Sequence, residues 1–347
     1  MLTLDNVTKV YKTGTFGGES LPAVRGASFE IRPGEVTSLI GESGSGKSTL
    51  GKMILRLTPV TSGTISFEGT DVAGLKGKRL REYYRHVQGV FQDPFSSYNP
   101  VFRADRVFAT IKRSYFPSVS NSEWHGRVEA SLESVGLNPV DVLDKFTHQL
   151  SGGQLQRILI ARALLLDIKI LVADEIISMI DASTRVDVLN LLANLKSRGL
   201  GVLFITHDLS LGNYISERTI ILRRGVVVEM GATQKVFDNP QHDYTKMLLT
   251  AVPQLHKKWG AGLAPELEAM GVTSEGEGRP GRYSRSSMHP LAAMHAWKGH
   301  RAQVVAAALE TAASADRTDT YLRTHEEVPP LVEVEEDHFV VTSAGAE

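Results

Sequence analysis

The chain has 347 residues, 42% hydrophobic and 22% charged, with a formal net charge of -1. That supplies a sizeable core and length for two domains, and it gives no global electrostatic case for nucleic acid. There are no cysteines, which excludes disulfides, thiolate zinc sites and cysteine-ligated iron–sulfur clusters and fits a reducing compartment.

Charge is unevenly spread. After Gln254 there are 9 basic and 14 acidic residues, against 29 and 25 before it, so the front part is mildly basic and suits a phosphate ligand. The start, MLTLDNVTKVYK, lacks a basic segment followed by an apolar one, so no secretory leader is expected. The most apolar stretch, Ile158 to Ala173, is broken by Arg162, Asp167 and Lys169, and no run reaches the roughly 18 apolar residues of a spanning helix. Any membrane role is expected to come through a partner.

In chain order, short β segments are expected at Leu2 to Leu4, Val24 to Ile31 and Thr64 to Phe67. Glu35 to Ile40 is a near-continuous apolar run entering GESGSGKSTLGKMIL, which reads as strand, glycine loop and helix. From about Gln92 to Gln149 the pattern turns helical, with Val128, Leu132 and Val135 recurring at helical spacing. Strand–helix alternation then returns. Ile170 to Ala173 is a buried-strand candidate, and Asp181 or Ser183 can cap a helix carrying Val188, Leu192 and Leu195, with Gly199 closing it. Val202 to Thr206 is another strand, and Thr219 to Leu222 with Val226 to Glu229 reads as a hairpin around Arg224-Gly225. This order predicts a mostly parallel, doubly wound sheet with a helical insertion at about 92–149.

After Pro253 the texture changes. One domain is expected over 1–253 and a C-terminal extension over 254–347. Ser274 to Ser287 reads as linker, Leu291 to Ala313 as an Ala-rich helix, and VPPLVEVEEDHFVV as one short strand.

Three segments carry chemistry. Gly41-Glu42-Ser43-Gly44-Ser45-Gly46-Lys47-Ser48, with Thr49 next, fits the P-loop pattern. Its glycines let backbone N–H groups turn toward phosphate oxygens at a helix N-terminus, Lys47 reaches the β/γ-phosphates, and Ser48 is placed to ligate Mg²⁺. The alternative is a plain Gly/Ser turn. Ile170 to Ala173 ends in Asp174-Glu175. Behind a P-loop these positions suit an acid that holds Mg²⁺ (Asp174) and one that polarises the attacking water (Glu175); alone they would be an ordinary solvated strand end. Leu150-Ser151-Gly152-Gly153-Gln154 precedes a helix, so Ser151 and the Gly152 and Gly153 amides form a second anion site.

That last pentapeptide, LSGGQ, is the signature of the ABC ATPases, and five fixed residues recur by chance in roughly one chain in two thousand. The chain resembles that family over about Leu2 to Pro253. The resemblance implies an α/β P-loop NTPase of ABC type: a RecA-like parallel core, an antiparallel β subdomain, a helical insertion, and here a C-terminal extension. It implies that ATP and Mg²⁺ are bound and that Ser151 to Gln154 face the γ-phosphate held by a second ABC ATPase subunit, identical or related. It further implies that Tyr11 stacks on adenine, Gln92 in VFQDP contacts Mg²⁺ or water and follows the membrane partner, His207 in ITHD contacts the γ-phosphate and orients Glu175, and Asp181 communicates across the dimer. Each has a plain counterpart: a surface tyrosine, a polar turn, a core histidine and an N-cap. Lys47, Gln92, Glu175 and His207 form the implied catalytic set, and Ser48, Gln92 and Asp174 the Mg²⁺ set. The sequence departs from the family at Ile176-Ile177, where Pro-Thr is usual, and at Met179-Ile180, where Ala-Leu is common. Both acids stay intact.

FQDPFSSYNP at Phe91 to Pro100, NPQHDYTKMLL at Asn239 to Leu249 and the ending from Pro329 resemble the oligopeptide/dipeptide importer subfamily. This implies two transmembrane permease subunits, an extracytoplasmic solute-binding protein acting indirectly, and a peripheral position on the cytoplasmic face of the membrane. An oligosaccharide importer motor is an alternative, and a non-transport ABC ATPase acting on nucleic acid or ribosomes a distant one. The latter would usually bring a coiled-coil insertion, a second cassette or a basic patch. Five of the six histidines after Gln254, His289, His295, His300, His325 and His338, fit no compact metal set.

Overall fold

A computed structural model of the chain describes residues 1–12, 20–178, 180, 182–250, 328 and 330–341. The linker expected at 274–287 and the helix expected at 291–313 lie outside the described residues. Two compact units are present, one of residues 1–239 with 331–341, the other of residues 240–330 with 342–347. The described part of the second unit contains α10 (Asp243–Thr250), where the Tyr244 amide donates to His242 Nδ1.

The first unit is built on two sheets. One is antiparallel, ordered β2-β1-β4-β5 from β1 (Leu2–Lys12), β2 (Ser20–Ile31), β4 (Ser62–Phe67) and β5 (Thr70–Asp71). The other has eight strands: β3 (Val36–Ile40), β6 (Val87–Val90), β7 (Ile170–Asp174), β8 (Gly201–Thr206), β9 (Arg218–Arg223), β10 (Val226–Ala232), β11 (Leu331–Glu335) and β12 (His338–Val341). Their spatial order is β11-β12-β10-β9-β3-β8-β7-β6. The run from β9 to β6 is parallel, and β10, β12 and β11 add to it antiparallel. The expected α/β fold, with parallel core and antiparallel subdomain, is present.

Strands β3, β7 and β8 are buried along their whole length, as continuous apolar runs covered on both faces should be. Strand alternation divides their side chains between two cores. Leu171, Ala173, Val202 and Phe204 pack with Leu155, Leu159 and Leu192. Ile170, Val172, Leu203 and Ile205 pack with Leu50, Met53 and Ile54 and with Leu4, Phe29 and Ile65 of the antiparallel sheet.

Helix α1 (Lys47–Ile54) follows the glycine loop. Helix α2 (Gly77–His86) is mostly polar, with Leu80, Tyr83 and Tyr84 as its core-facing positions and Tyr83 its one buried residue. Tyr83 anchors it by donating its hydroxyl to the Ile54 carbonyl at 2.5 Å and by an edge contact with Phe67. Between β6 and β7 come α3 (Arg106–Tyr115), α4 (Asn121–Ser134), the single turn α5 (Pro139–Val142) and α6 (Gly152–Leu164). Then follow α7 (Ala182–Ser197), α8 (Leu209–Ile215) and α9 (Thr233–Asp238). No described helix is long and apolar enough to cross a membrane.

The ending expected as one strand is two. VEVEEDHFVV folds back at Glu336-Asp337, with Asp337 at φ 55, a conformation aspartate tolerates better than most residues and one that no Gly or Pro signals here. Arg218 Nη1 grips both Asp337 oxygens at 2.5 and 2.6 Å. His338, fully buried, bridges Glu229 at 2.7 Å through Nε2 and Glu335 at 2.9 Å through Nδ1. His338→Ala is therefore expected to lower unfolding stability by about 2 kcal/mol, since hydrogen bonds to charged groups are lost inside the fold; urea denaturation measures it.

Candidate active site

Parallel strands bring separated segments to one edge. Ile40 pairs with Thr206, Asp174 with Ile205, and Val90 with Ala173, so Gly41, Gln92, Asp174, Glu175 and His207 all stand at the carboxyl ends of β3, β6, β7 and β8. This is where open parallel sheets place their ligands.

The loop from Gly41 to Gly46 is shaped by its glycines at two positions. A Cβ on Gly41 would stand 2.1 Å from the Leu222 carbonyl oxygen, and Gly46, at φ 106, would bring one to 2.3 Å from that of Ala23. Gly225, in the β9–β10 turn, donates its amide to the Ser45 carbonyl at 2.8 Å and braces the loop from behind. Ser43 and Gly44 are exposed, while Thr49 is half-buried. The Ser45 hydroxyl is buried with no hydrogen-bond partner.

Lys47, 5% exposed, donates Nζ to the Gly41 and Glu42 carbonyls at 2.8 and 2.7 Å. Burial pulls its ammonium below the ordinary lysine range, opposed by Glu175, Asp174 and Glu42. The Ser48 hydroxyl donates to Asp174 Oδ1 at 3.2 Å. Burial pushes the Asp174 carboxyl up; the Ser48 bond opposes this and the neighbouring Glu175 adds to it. Glu175 is held at φ 50 and its Oε1 lies 3.3 Å from His207 Nδ1. His207 precedes Asp208, whose carboxylate caps α8 by accepting the Ser210 and Leu211 amides.

The cradle thus fits a polyphosphate with a hard cation. An orphaned hydroxyl and a lysine held on backbone carbonyls line the anion side, and two oxygen ligands sit together on the metal side. Ser151 and Gln154 turn to each other: Ser151 Oγ accepts the Gln154 amide at 3.2 Å, and Gln154 Oε1 accepts the Ser151 amide at 2.9 Å. This capping box opens α6, with Gly152 and Gly153 as its first residues. Gln92 is exposed beyond β6. Tyr11, 36% exposed near the end of β1, has the Lys9 ammonium 5.0 Å from its ring centroid. Asp181 lies outside the described residues.

Two cross-ties escape a motif-based reading. Gln156, 1% exposed, donates Nε2 to the Phe91 carbonyl at 3.3 Å, next to Gln92. Tyr98 donates to the Leu155 carbonyl at 3.2 Å. A glutamine on the buried side of α6 was the one available signal for the first.

Comparison with known proteins agrees with this geometry. Residues 24–178 match the ABC transporter family, and residues 228–276 the oligopeptide/dipeptide transporter C-terminal region. The oligopeptide transport ATP-binding protein OppF of Salmonella typhimurium is 40% identical over 236 residues, covering 68% of this chain and 70% of that protein. OppF of Streptococcus mutans is 40% identical over 255 residues, covering 73% and 82%. Among solved structures, the dimeric ATP-binding cassette MJ0796, in a post-hydrolysis state bound to ADP and Pi, superposes with a TM-score of 0.61 at 31% identity, over 67% of this chain and 99% of that one. Sheet order, site and relatives agree that this chain is a nucleotide-binding ATPase of the ABC transporter family, carrying the C-terminal region of its oligopeptide/dipeptide branch.

Proposed function

We propose that this chain powers uptake of oligopeptides or dipeptides, working as one of two cassettes on the cytoplasmic face of a pair of permease subunits. The observation that carries the reading is the match of residues 228–276 to the oligopeptide/dipeptide C-terminal region, alongside OppF relatives at 40% identity. An exposed apolar run beside Gln92, with Phe95 49%, Val101 73% and Phe102 38% exposed, supports a permease contact there.

At the site, the loop amides and Lys47 would hold the β- and γ-phosphates, and Tyr11 would stack on the base. Ser48, Asp174 and Gln92 would hold Mg²⁺, which when bound neutralises charge on the phosphate oxygens. Glu175 would take the proton of the attacking water, with His207 fixing its carboxylate and contacting the γ-phosphate. Ser151, Gly152, Gly153 and Gln154 would complete the site of the partner cassette, with Asp181 at the shared interface. One chain therefore contributes half of each of two sites.

The test is ATP hydrolysis by the assembled membrane complex with its solute-binding protein. Stimulation by protein loaded with short peptides, and none with oligosaccharides, is the expected result. Stimulation by oligosaccharides alone would reassign the cargo, and strong duplex binding at low salt would sink the transport reading.

A further inference from the structure

We propose that Ser178 is a positioning residue for ATP hydrolysis: its amide and hydroxyl lock the backbone of Glu175 so that two consecutive carboxylates serve one site. This rests on the reading of Glu175 as the group that takes a proton from water. In a regular strand, neighbouring side chains point to opposite faces. Asp174 closes β7, and continuing that strand would send Glu175 away from the loop. Yet Asp174 is bonded to Ser48 of the nucleotide loop, and Glu175 lies against His207 at the same edge of the sheet.

The break in alternation is made at Glu175 itself, whose φ of 50 is the left-handed region that a residue with a side chain adopts under constraint. Two contacts hold it there. The Glu175 amide donates to the Ile205 carbonyl at 3.0 Å. Its carbonyl accepts twice from Ser178, at 3.1 Å from the amide and 2.8 Å from the hydroxyl. The residues between are pinned in the core, Ile176 at 1% and Ile177 at 3% exposed. Of these constraints, the Ser178 hydroxyl can be removed without touching the core or the nucleotide loop.

The experiment measures ATP turnover of the assembled transporter for Ser178→Ala, Ser178→Thr and Glu175→Gln, with nucleotide affinity and melting temperature of each. Ser178→Ala is expected to lower kcat by up to about 10²-fold, the cost of a catalytic group misplaced by about 1 Å. KM for ATP and nucleotide affinity should stay at wild-type values. The melting temperature should fall by no more than the roughly 2–4 °C that one lost hydrogen bond costs a domain of this size. Ser178→Thr, which keeps the hydroxyl, should recover most of the rate. A wild-type kcat in Ser178→Ala, equal loss in both serine variants, or a loss carried by KM and melting temperature would overturn the inference. If Glu175→Gln turns over at the wild-type rate, the assignment of Glu175 fails. If it is inactive while Ser178→Ala is normal, only the positioning role fails.

Discussion

Glu175→Gln is expected to reduce steady-state ATP hydrolysis by about 10²–10³-fold while ATP still binds. Glutamine keeps the size of the side chain and its reach toward His207 but cannot accept a proton. General-base assistance is worth about 10²–10⁴-fold in rate. On the proposed reading other groups would hold the phosphates: the loop amides, Lys47 with its two carbonyl contacts, and the Ser48–Asp174 pair. Affinity should therefore survive. His207→Ala should cost less than Glu175→Gln, because its Nδ1 lies 3.3 Å from Glu175 Oε1 and would act by orienting that carboxylate. Single-turnover hydrolysis and equilibrium nucleotide binding, measured on the same preparations, separate the rate from the affinity. A Glu175→Gln protein that hydrolyses within about threefold of wild type, less than any general base is worth, would mean another group activates the water.

How much of this was legible beforehand depended on whether the information was local. The P-loop, Asp174-Glu175 and LSGGQ are written in consecutive residues, and the apolar runs of β3, β7 and β8 gave their strands away. What was not legible came from distant partners. Helix α2 offers a short apolar face of Leu80, Tyr83 and Tyr84, and it is anchored where Tyr83 reaches the Ile54 carbonyl and Phe67. The closing hairpin was read as one strand because its turn uses Asp337 at φ 55 without Gly or Pro, held by Arg218 from β9. By sequence His338 is one of six scattered histidines after Gln254, yet the fold places it between Glu229 and Glu335. At the site, the sequence offered two adjacent acids but not how one could bond Ser48 while the next lies against His207. The left-handed backbone at Glu175 and the two hydrogen bonds its carbonyl accepts from Ser178 are properties of the fold.

The site's stability should run against its function at Asp174. Burial raises the folded-state pKa of this carboxyl above its unfolded value, and Glu175 beside it adds to the shift. The wild-type chain therefore has the full benefit of a protonated Asp174 below the unfolded pKa and loses it as pH rises through the folded one. Asp174→Asn keeps an acceptor for the Ser48 hydroxyl and removes the charge, while Lys47 retains Glu175 and Glu42 as counter-charges. In the absence of nucleotide the variant should melt about 2–4 °C above wild type at neutral pH, the shift that ~1 kcal/mol produces in a domain of this size. The advantage should shrink to nothing on acidification below the ordinary aspartate range. With saturating Mg-ATP the order should reverse. Ligand at 100 times its dissociation constant adds about 2.7 kcal/mol to a competent protein, and Asp174→Asn lacks the carboxylate that would help hold the cation. Melting curves at several pH values, with and without Mg-ATP, test both halves: an apo variant less stable than wild type at neutral pH would show that the charge is well accommodated without ligand. An equal Mg-ATP shift in both proteins would remove Asp174 from the metal site.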